Sequence, residues 1–220
     1  MSPITSLFNQ LPPDETLFEN IAVALEQQGY VILPNALPDT VTDGLIDYLA
    51  EVQDSHFHPA AIGRGDDQTH NTFVRRDRIH WLDEENSKGD VWFRWTRDLR
   101  HYLNRRLLLG LFSFESQFAH YQPGDFYKKH VDAFRGQANR VLTLVTYLNR
   151  GWEPDQGGEL VIYQETGEEL ARVTPSFGSL VIFLSEEFPH EVLPALRDRY
   201  SVAGWFRINN SIGNRIDPAR

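Results

Sequence analysis

Two histidines and one aspartate in the second half of the sequence have the types and spacing of a metal site. His130 and Asp132 flank Val131, His190 follows further along the chain, and Arg199 comes nine residues after His190. Two imidazoles and one carboxylate on one side of a divalent iron would leave its other positions open to ligands. The arginine would present a fork of donors to a small dicarboxylate. The pattern therefore predicts an iron centre beside an anion-binding pocket.

The triplet His130-Val131-Asp132 carries little weight by itself. With eight histidines and 31 acidic residues in the chain, about one His-x-acid pair is expected by chance. A single histidine, arginine or tyrosine is also more often a structural or surface residue than a ligand. The prediction therefore depends on the elements that must bring these residues together.

Helical periodicity dominates the first half of the chain. Apolar residues at fourfold spacing predict a helix that begins with Asp14 as its N-cap and ends at Gly29. A short apolar strand over residues 30–33 follows, and a second amphipathic helix is predicted to begin near Asp39. The polar segment 53–72 reads as a loop.

A third helix is predicted around residues 92–103, where tryptophans and leucines recur at helical spacing. Its opposite face carries a basic stripe formed by Arg94, Arg97, His101 and Arg105. Such a stripe is more often a solvated helix face than a partner surface.

From residue 111 the pattern changes to short strands separated by turns. Strands are predicted at 112–121, 126–132, 140–148, 158–164, 170–174, 179–184, 190–193 and 199–207. Short strands at this spacing are typical of a jelly roll or a barrel-like sandwich. The predicted fold class is therefore α+β with a mainly β core, a double-stranded β-helix (jelly roll) buttressed by N-terminal helices.

Strand alternation predicts which way the candidate residues point. His130 and Asp132, as residues i and i+2 of one strand, would share a face. Thr143 and Tyr147 share the face that suits a ligand cavity, while the leucines of the same strand suit packing on helices. Arg199 on an inward face would need a partner, because a buried unpaired guanidinium is very costly. A ligand carboxylate would supply one.

Composition narrows the class of protein. The chain has 220 residues, no cysteine and a net charge of −10, so one domain is expected, disulfides and thiol catalysis are excluded, and a nucleic-acid partner is disfavoured. The N-terminal residues have no basic start, and no apolar stretch has the length needed to span a bilayer. A cytoplasmic protein with no membrane partner is the expectation.

Other candidate constellations are weaker. His56 and His58 could chelate a metal, but they lie beside Pro59 in a predicted loop without an acidic third ligand. No partner pattern accompanies His70, His80, His101 or His120. The sequence also lacks a nucleophile elbow and a phosphate-binding glycine-rich loop at the start of a helix.

Several segments, taken in order, closely resemble the iron(II)/2-oxoglutarate dioxygenases. They are His130-Val131-Asp132, Thr146-Tyr147-Leu148-Asn149, Gly157-Gly158-Glu159-Leu160, His190-Glu191-Val192-Leu193-Pro194 and Arg199-Tyr200-Ser201. The nearest branch is the prolyl 4-hydroxylase group, which includes the hypoxia-sensing prolyl hydroxylases and their bacterial relatives. The resemblance covers roughly residues 112–207.

The resemblance implies roles for individual residues. The iron(II) ligands, and so the catalytic residues, would be His130, Asp132 and His190. The pocket for the co-substrate 2-oxoglutarate would be formed by Arg199, Tyr147, Tyr121 and Ser201. O₂ would bind the iron, and ascorbate is a candidate reductant. The segment 62–80 falls where the family has a mobile loop that closes over a peptide substrate.

The resemblance also implies an activity, the hydroxylation of a prolyl residue in a protein or peptide with release of succinate and CO₂. One alternative is the same chemistry on a small molecule or free amino acid, because fold and iron site do not fix the substrate. Another is a non-catalytic module that binds 2-oxoglutarate or a partner. A nucleic-acid demethylase is disfavoured. Those enzymes carry an Arg-x5-Arg pattern after the distal histidine, whereas the residue six positions after Arg199 is Trp205 and not a second arginine.

The predicted layout is one dioxygenase domain over residues 1–220. Residues 1–110 would supply supporting helices and the substrate loop, and residues 111–207 the jelly-roll catalytic core. Residues 208–220 would form a C-terminal tail.

Overall fold

The computed structural model describes residues 13–60, 71–133 and 139–209. Its helices are α1 (Pro13–Gln28), α2 (Asp39–Glu51) and α3 (Asp90–Leu107). Its strands are β1 (Tyr30–Leu33), β2 (His58–Pro59), β3 (Arg78–Trp81), β4 (Ser113–Tyr121), β5 (Tyr127–His130), β6 (Arg140–Tyr147), β7 (Leu160–Tyr163), β8 (Glu169–Val173), β9 (Leu180–Leu184), β10 (His190–Val192) and β11 (Arg199–Arg207).

The strands form two antiparallel sheets. The larger has the order β1-β9-β6-β11-β4-β3-β2, and the smaller has the order β5-β10-β7-β8. Most neighbouring strands are not consecutive in sequence, as in the run β9-β6-β11-β4 and the pairs β5-β10 and β10-β7, which is the arrangement of a double-stranded β-helix. The predicted fold class is confirmed, and each of the eight strands expected after residue 111 is present.

The larger sheet separates two hydrophobic cores. On one side Leu142 and Leu144 of β6 pack with Val202 and Phe206 of β11 and with the three helices. On the other side Val145 and Tyr147 of β6 pack with residues of the smaller sheet, among them Leu160 and Ile162 of β7. The alternation predicted for β6 is therefore confirmed: its leucines face the helices, and its other face lines the space between the sheets.

Helix α1 begins two residues earlier than the sequence indicated, since an N-cap at Asp14 would make Glu15 the first helical residue. Asp14 lies in its first turn rather than at an N-cap, because the helix starts at Pro13, whose fixed φ suits a first helical position. The helix ends at Gln28, and the next residue, Gly29, has a φ of 77° and donates its N–H to the Leu25 carbonyl. A Cβ at Gly29 would meet the Phe188 ring at 3.0 Å, so both backbone and space require glycine.

Helix α3 attaches to the larger sheet through its tryptophans. Trp92 is fully buried, stacks on Trp95 at a ring-centroid distance of 5.9 Å, and donates its indole N–H to Ser116 Oγ of β4 at 3.1 Å. The basic stripe of Arg94, Arg97, His101 and Arg105 is exposed on the opposite face, as expected. None of the described helices combines the length and the apolar character needed to cross a membrane.

The first 110 residues contribute more to the sheet than the sequence indicated. The segment 53–72 was expected to be a loop, yet His58–Pro59 forms β2, which pairs with β3. Strand β3 in turn pairs with β4 from Arg78↔His120 to Trp81↔Gln117. Strand β2 has only two residues, and β3 alternates polar and apolar residues over only four, so neither is long enough for the period-2 pattern to identify a strand. Their pairing depends on β4, a tertiary partner.

Replacing Trp92 by alanine is expected to lower the free energy of unfolding by about 3–5 kcal/mol, because it removes a fully buried indole and leaves Ser116 without its donor. Arg97→Ala on the exposed face of the same helix is the matched control and should change stability by no more than about 0.5 kcal/mol. Urea denaturation of both variants measures this. Equal losses would show that α3 is not attached through Trp92.

Candidate metal centre

The smaller sheet brings the two candidate histidines together. His130 ends β5 and His190 begins β10, and the two are direct partners in the antiparallel register. Their ring centroids are 4.3 Å apart. A β-bulge separates this pair from the next one, Val192↔Tyr127, and bulges of this kind re-aim side chains near functional sites.

Asp132 reaches the histidines in a different way from the one predicted. Strand β5 ends at His130, so Asp132 lies two residues beyond it in a bend and does not share a strand face with His130. The alternation argument was therefore wrong at this residue, although the triplet does converge. The ligand atoms of His130, Asp132 and His190 all lie within 4.8 Å of one another. The described residues contain no other such group of three or more.

Both imidazoles direct Nε2 toward the centre and use Nδ1 for a hydrogen bond on the other side of the ring. Nδ1 of His130 lies 2.8 Å from the Lys128 carbonyl, and Nδ1 of His190 lies 3.0 Å from the Phe188 carbonyl. A carbonyl only accepts hydrogen bonds, so each Nδ1 carries the proton and donates it. Each neutral ring then has its lone pair on Nε2, which faces Asp132 at 3.6 Å and 3.7 Å respectively. This is the arrangement that a metal-ligating histidine needs.

Charge states at the centre also suit a cation. Burial and the nearby His130 together lower the pKa of His190 to about 4, although Asp132 and the hydrogen bond to the Phe188 carbonyl oppose the shift. Burial by itself would raise the pKa of Asp132, but His190, His130 and Arg140 together lower it well below its usual range. At neutral pH His190 is therefore a neutral imidazole and Asp132 a carboxylate, the states in which each can bind a metal.

A stack of side chains supports His130 from outside. The Tyr127 ring lies on the His130 ring with centroids 3.5 Å apart, and the Arg75 guanidinium lies 4.1 Å from the centre of the Tyr127 ring. Arg75 is fixed by a double hydrogen bond to the buried carboxylate of Asp77, at 2.8 and 2.6 Å. Sequence reasoning missed these residues. The Arg-x-Asp spacing was visible, but nothing in the sequence placed it against β5.

The second candidate pocket lies between Arg199 and two tyrosines. The Arg199 side chain is almost fully buried, with Nε donating to the Gly158 carbonyl at 2.8 Å and Nη1 donating to Ser201 Oγ at 3.2 Å. Its guanidinium lies 4.8 Å from the ring centre of Tyr121 and 5.1 Å from that of Tyr147. Within the described ranges no carboxylate forms an ion pair with Arg199. A buried cation in this state calls for an anionic ligand.

Tyr147 adds a second unsatisfied group to this pocket. Its hydroxyl is buried and has no hydrogen-bond partner in the part of the chain that the structure describes. Burial raises the pKa of Tyr147 to about 12, although the charge of Arg199 and the closeness of its guanidinium to the hydroxyl oppose the shift. The hydroxyl therefore stays protonated and can donate to an anion that Arg199 attracts. The residues present thus fit a carboxylate-bearing co-substrate.

The metal-ligand group and the Arg199 pocket share one wall. Thr143 and Tyr147 lie on the same face of β6, and Trp205 and Arg199 lie on the same face of β11. Thr143 and Trp205 contact Asp132, whereas Tyr147 and Arg199 lie at the other end of the strands. Four residues along β6 correspond to about 13 Å. The space between the sheets therefore runs from the histidines to the guanidinium.

The other histidines do not build a second centre. His56 and His58 are exposed, and the described residues supply them with no group of three ligands. His120 contacts Asp198 Oδ1 at 2.7 Å, and His80 contacts the His56 carbonyl at 3.3 Å. His70 lies outside the described residues. So do residues 62–70 of the expected substrate loop, whereas 71–80 are described and their last three residues belong to β3.

Comparison with known proteins identifies the family. The family model of the 2OG-Fe(II) oxygenase superfamily matches residues 116–207. A crystal structure of a Pseudomonas putida prolyl-4-hydroxylase is 36% identical with a TM-score of 0.78, over 88% of this chain and 100% of that one. The chain belongs to the prolyl hydroxylase family of this superfamily. A prolyl hydroxylase from Trichoplax adhaerens, solved with a hypoxia inducible factor peptide fragment, is 25% identical with a TM-score of 0.79, over 92% and 94% of the two chains.

Curated relatives agree on the family. Egl nine homolog 1 of rat is 38% identical over 85 residues, which are 38% of this chain but only 25% of that protein. The chain thus matches about a quarter of the length of this relative. Prolyl hydroxylase EGLN3 of mouse is 26% identical over 218 residues, which cover 90% of this chain and 86% of that protein. The resemblance drawn from the sequence motifs is confirmed, and the family implies iron(II), 2-oxoglutarate and O₂.

Tyr147→Phe is expected to raise the free energy of unfolding of the ligand-free protein by about 1 kcal/mol, because it removes a buried hydroxyl that has no hydrogen-bond partner among the described residues. Tyr163→Phe is the matched control, since the Tyr163 hydroxyl is bonded to Glu191, and that change should leave stability unchanged or lower it. Thermal unfolding of both variants measures the two signs. A destabilised Tyr147→Phe protein would show that this hydroxyl is satisfied.

Proposed function

We propose that this chain is an iron(II)- and 2-oxoglutarate-dependent dioxygenase that hydroxylates a prolyl residue in a protein or peptide and releases succinate and CO₂. The observation that carries the proposal is the convergence of His130, Asp132 and His190 on the wall that also bears Arg199. Likeness to a prolyl-4-hydroxylase along that protein's full length supports the choice of substrate class.

The metal would be held by Nε2 of His130, Nε2 of His190 and the carboxylate of Asp132. This donor set suits iron(II) and leaves positions for a co-substrate and oxygen. Bound iron and 2-oxoglutarate supply the oxidising chemistry. The Nδ1 bonds to carbonyls direct Nε2 of each imidazole at the centre. Burial lowers the pKa of His190 and its neighbours hold that of Asp132 well below its usual range, so these two ligands are already in the protonation states that a metal needs.

The co-substrate pocket would be formed by Arg199, Tyr147, Tyr121 and Ser201. Arg199 would pair with the carboxylate furthest from the metal, and Tyr147 would donate its free hydroxyl to the same group. Gly158 helps to aim the guanidinium. It has a φ of 72°, its carbonyl accepts from Arg199 Nε, and a Cβ in its place would lie 3.2 Å from Arg199 Cδ.

The substrate would be a proline-containing segment of a protein or peptide. The relative from Trichoplax adhaerens is a prolyl hydroxylase bound to a peptide fragment, which supports a peptide-binding mode for this chain. A cytoplasmic location and a role for ascorbate stay predictions.

Two measurements on the same preparation test the activity. Succinate should form from 2-oxoglutarate only when iron(II) is present, and it should not form with Asp132→Ala. Mass spectrometry of proteins from cells with and without the active enzyme should show one added oxygen atom on specific prolines. Added oxygen on other residues, or on metabolites alone, would contradict the prolyl substrate while leaving the dioxygenase chemistry intact.

Arg199→Lys is expected to weaken 2-oxoglutarate binding by roughly 10- to 100-fold, because an ammonium cannot reproduce the two-pronged contact of a guanidinium with a carboxylate. Calorimetric titration of the manganese(II)-loaded protein measures the dissociation constant. Arg197→Lys is the control, since Arg197 is exposed two residues away and should leave the affinity unchanged. Wild-type affinity in Arg199→Lys would show that this arginine does not bind 2-oxoglutarate.

A further inference from the structure

Asp132 is the one candidate metal ligand that no described strand holds. His130 and His190 are fixed by the β5–β10 register and by their own Nδ1 bonds to carbonyls. Asp132 lies in a bend beyond β5, and the torsion that orients a carboxylate is broad and weakly restrained. Its orientation must therefore come from side chains on other elements.

Two donors fix one oxygen of the Asp132 carboxylate. Thr143 donates its hydroxyl to Oδ2 at 2.7 Å, and Trp205 donates its indole N–H to the same oxygen at 3.0 Å. These contacts occupy the two lone pairs of Oδ2. Among the described residues no hydrogen bond reaches Oδ1, which lies 3.6 Å from Nε2 of His130. The free oxygen is thus the one on the side of His130.

Thr143 is itself oriented by a second hydroxyl. Its Oγ1 lies 2.9 Å from Ser185 Oγ, and because Thr143 already donates to the carboxylate, Ser185 must be the donor in this contact. Both side chains are buried. Ser185 directly follows β9, and its backbone N–H donates to the Val141 carbonyl at 3.0 Å. The chain of hydrogen bonds therefore runs from the end of β9 through β6 to Asp132.

We propose that Thr143 and Ser185 are positioning residues that hold Asp132 as a monodentate metal ligand through Oδ1. The inference rests on the proposed function, since it assumes a metal at the three-residue centre. Valine has nearly the shape of threonine, and a Val–Ala pair would fill this space without any polar group. The core instead buries two hydroxyls: Ser185 donates to Thr143, and Thr143 donates to the carboxylate. Packing alone does not require these polar groups.

The consequence concerns coordination number. With Oδ2 held by Thr143, the carboxylate offers one oxygen to the metal and leaves the opposite positions open. Without that hydroxyl only the Trp205 indole N–H still holds Oδ2, so the carboxylate is freer to rotate and to bind through both oxygens or point away. Partners of metal ligands typically contribute 10- to 100-fold in metal affinity when they are removed.

Cobalt(II) titration of the full chain tests the proposal, with visible absorption as the second readout. Thr143→Val is expected to bind cobalt(II) about 10- to 100-fold more weakly than wild type and to show an altered visible spectrum, because the ligand field changes with the carboxylate. Thr143→Ser keeps the hydroxyl and should stay within about threefold in affinity with the wild-type spectrum. Ser185→Ala should fall between the two.

Wild-type affinity and spectrum in Thr143→Val would overturn the proposal. If that variant does not fold, Ser185→Ala decides, and unchanged cobalt(II) binding in it would be equally fatal. The result is separable from the proposed function. Loss of cobalt(II) in Thr143→Val without any prolyl product from wild type would remove the function and leave the positioning role. Prolyl product from wild type together with normal cobalt(II) binding in Thr143→Val would support the proposed function and exclude the positioning role.

Discussion

The register of β11 is the constraint on which the rest of the site depends. This strand pairs with β4 from Arg199↔Tyr121 to Arg207↔Ser113 and with β6 on its other side. Alternation then directs Arg199, Ser201 and Trp205 into the space between the sheets and directs the residues between them toward the helices. A slip of one residue would exchange the two sets. The helix-side core fixes the register, because Val202 and Phe206 are fully buried there.

The two cores therefore have different tasks. The helix-side core is apolar and holds α3 and the larger sheet together, so it stabilises the register. The core between the sheets contains Arg199, the unpartnered Tyr147 hydroxyl and the Asp132 carboxylate, each of which is costly to bury. Such groups persist only where the surrounding structure determines their positions. A pocket that is unfavourable when empty favours a ligand that completes its hydrogen bonds and its charge.

Much of this organisation could be predicted from the sequence, and the failures share one cause. The strands from β4 to β11 followed from turn residues and alternation, and the inward face of β6 followed from its leucines. The short strands β2 and β3 were missed, because their pairing depends on β4 rather than on their own pattern. Thr143 was placed on the cavity wall, but its bond to Asp132 joins residues from a strand and a bend. A local sequence pattern predicts which face of its helix or strand a residue occupies, but it does not predict which residues of other elements that residue contacts.

The bend after β5 changes what holds the third candidate ligand. The cross-strand pair His130↔His190 takes its position from the ladder, whereas Asp132 lies two residues beyond the end of β5. The ligand atoms of the three residues nevertheless lie within 4.8 Å of one another. An acid outside the ladder lacks its restraint, and hydrogen bonds from Thr143 of β6 and Trp205 of β11 to Oδ2 supply it instead. The triplet therefore joins one ligand that a strand positions to one that side chains of other strands position.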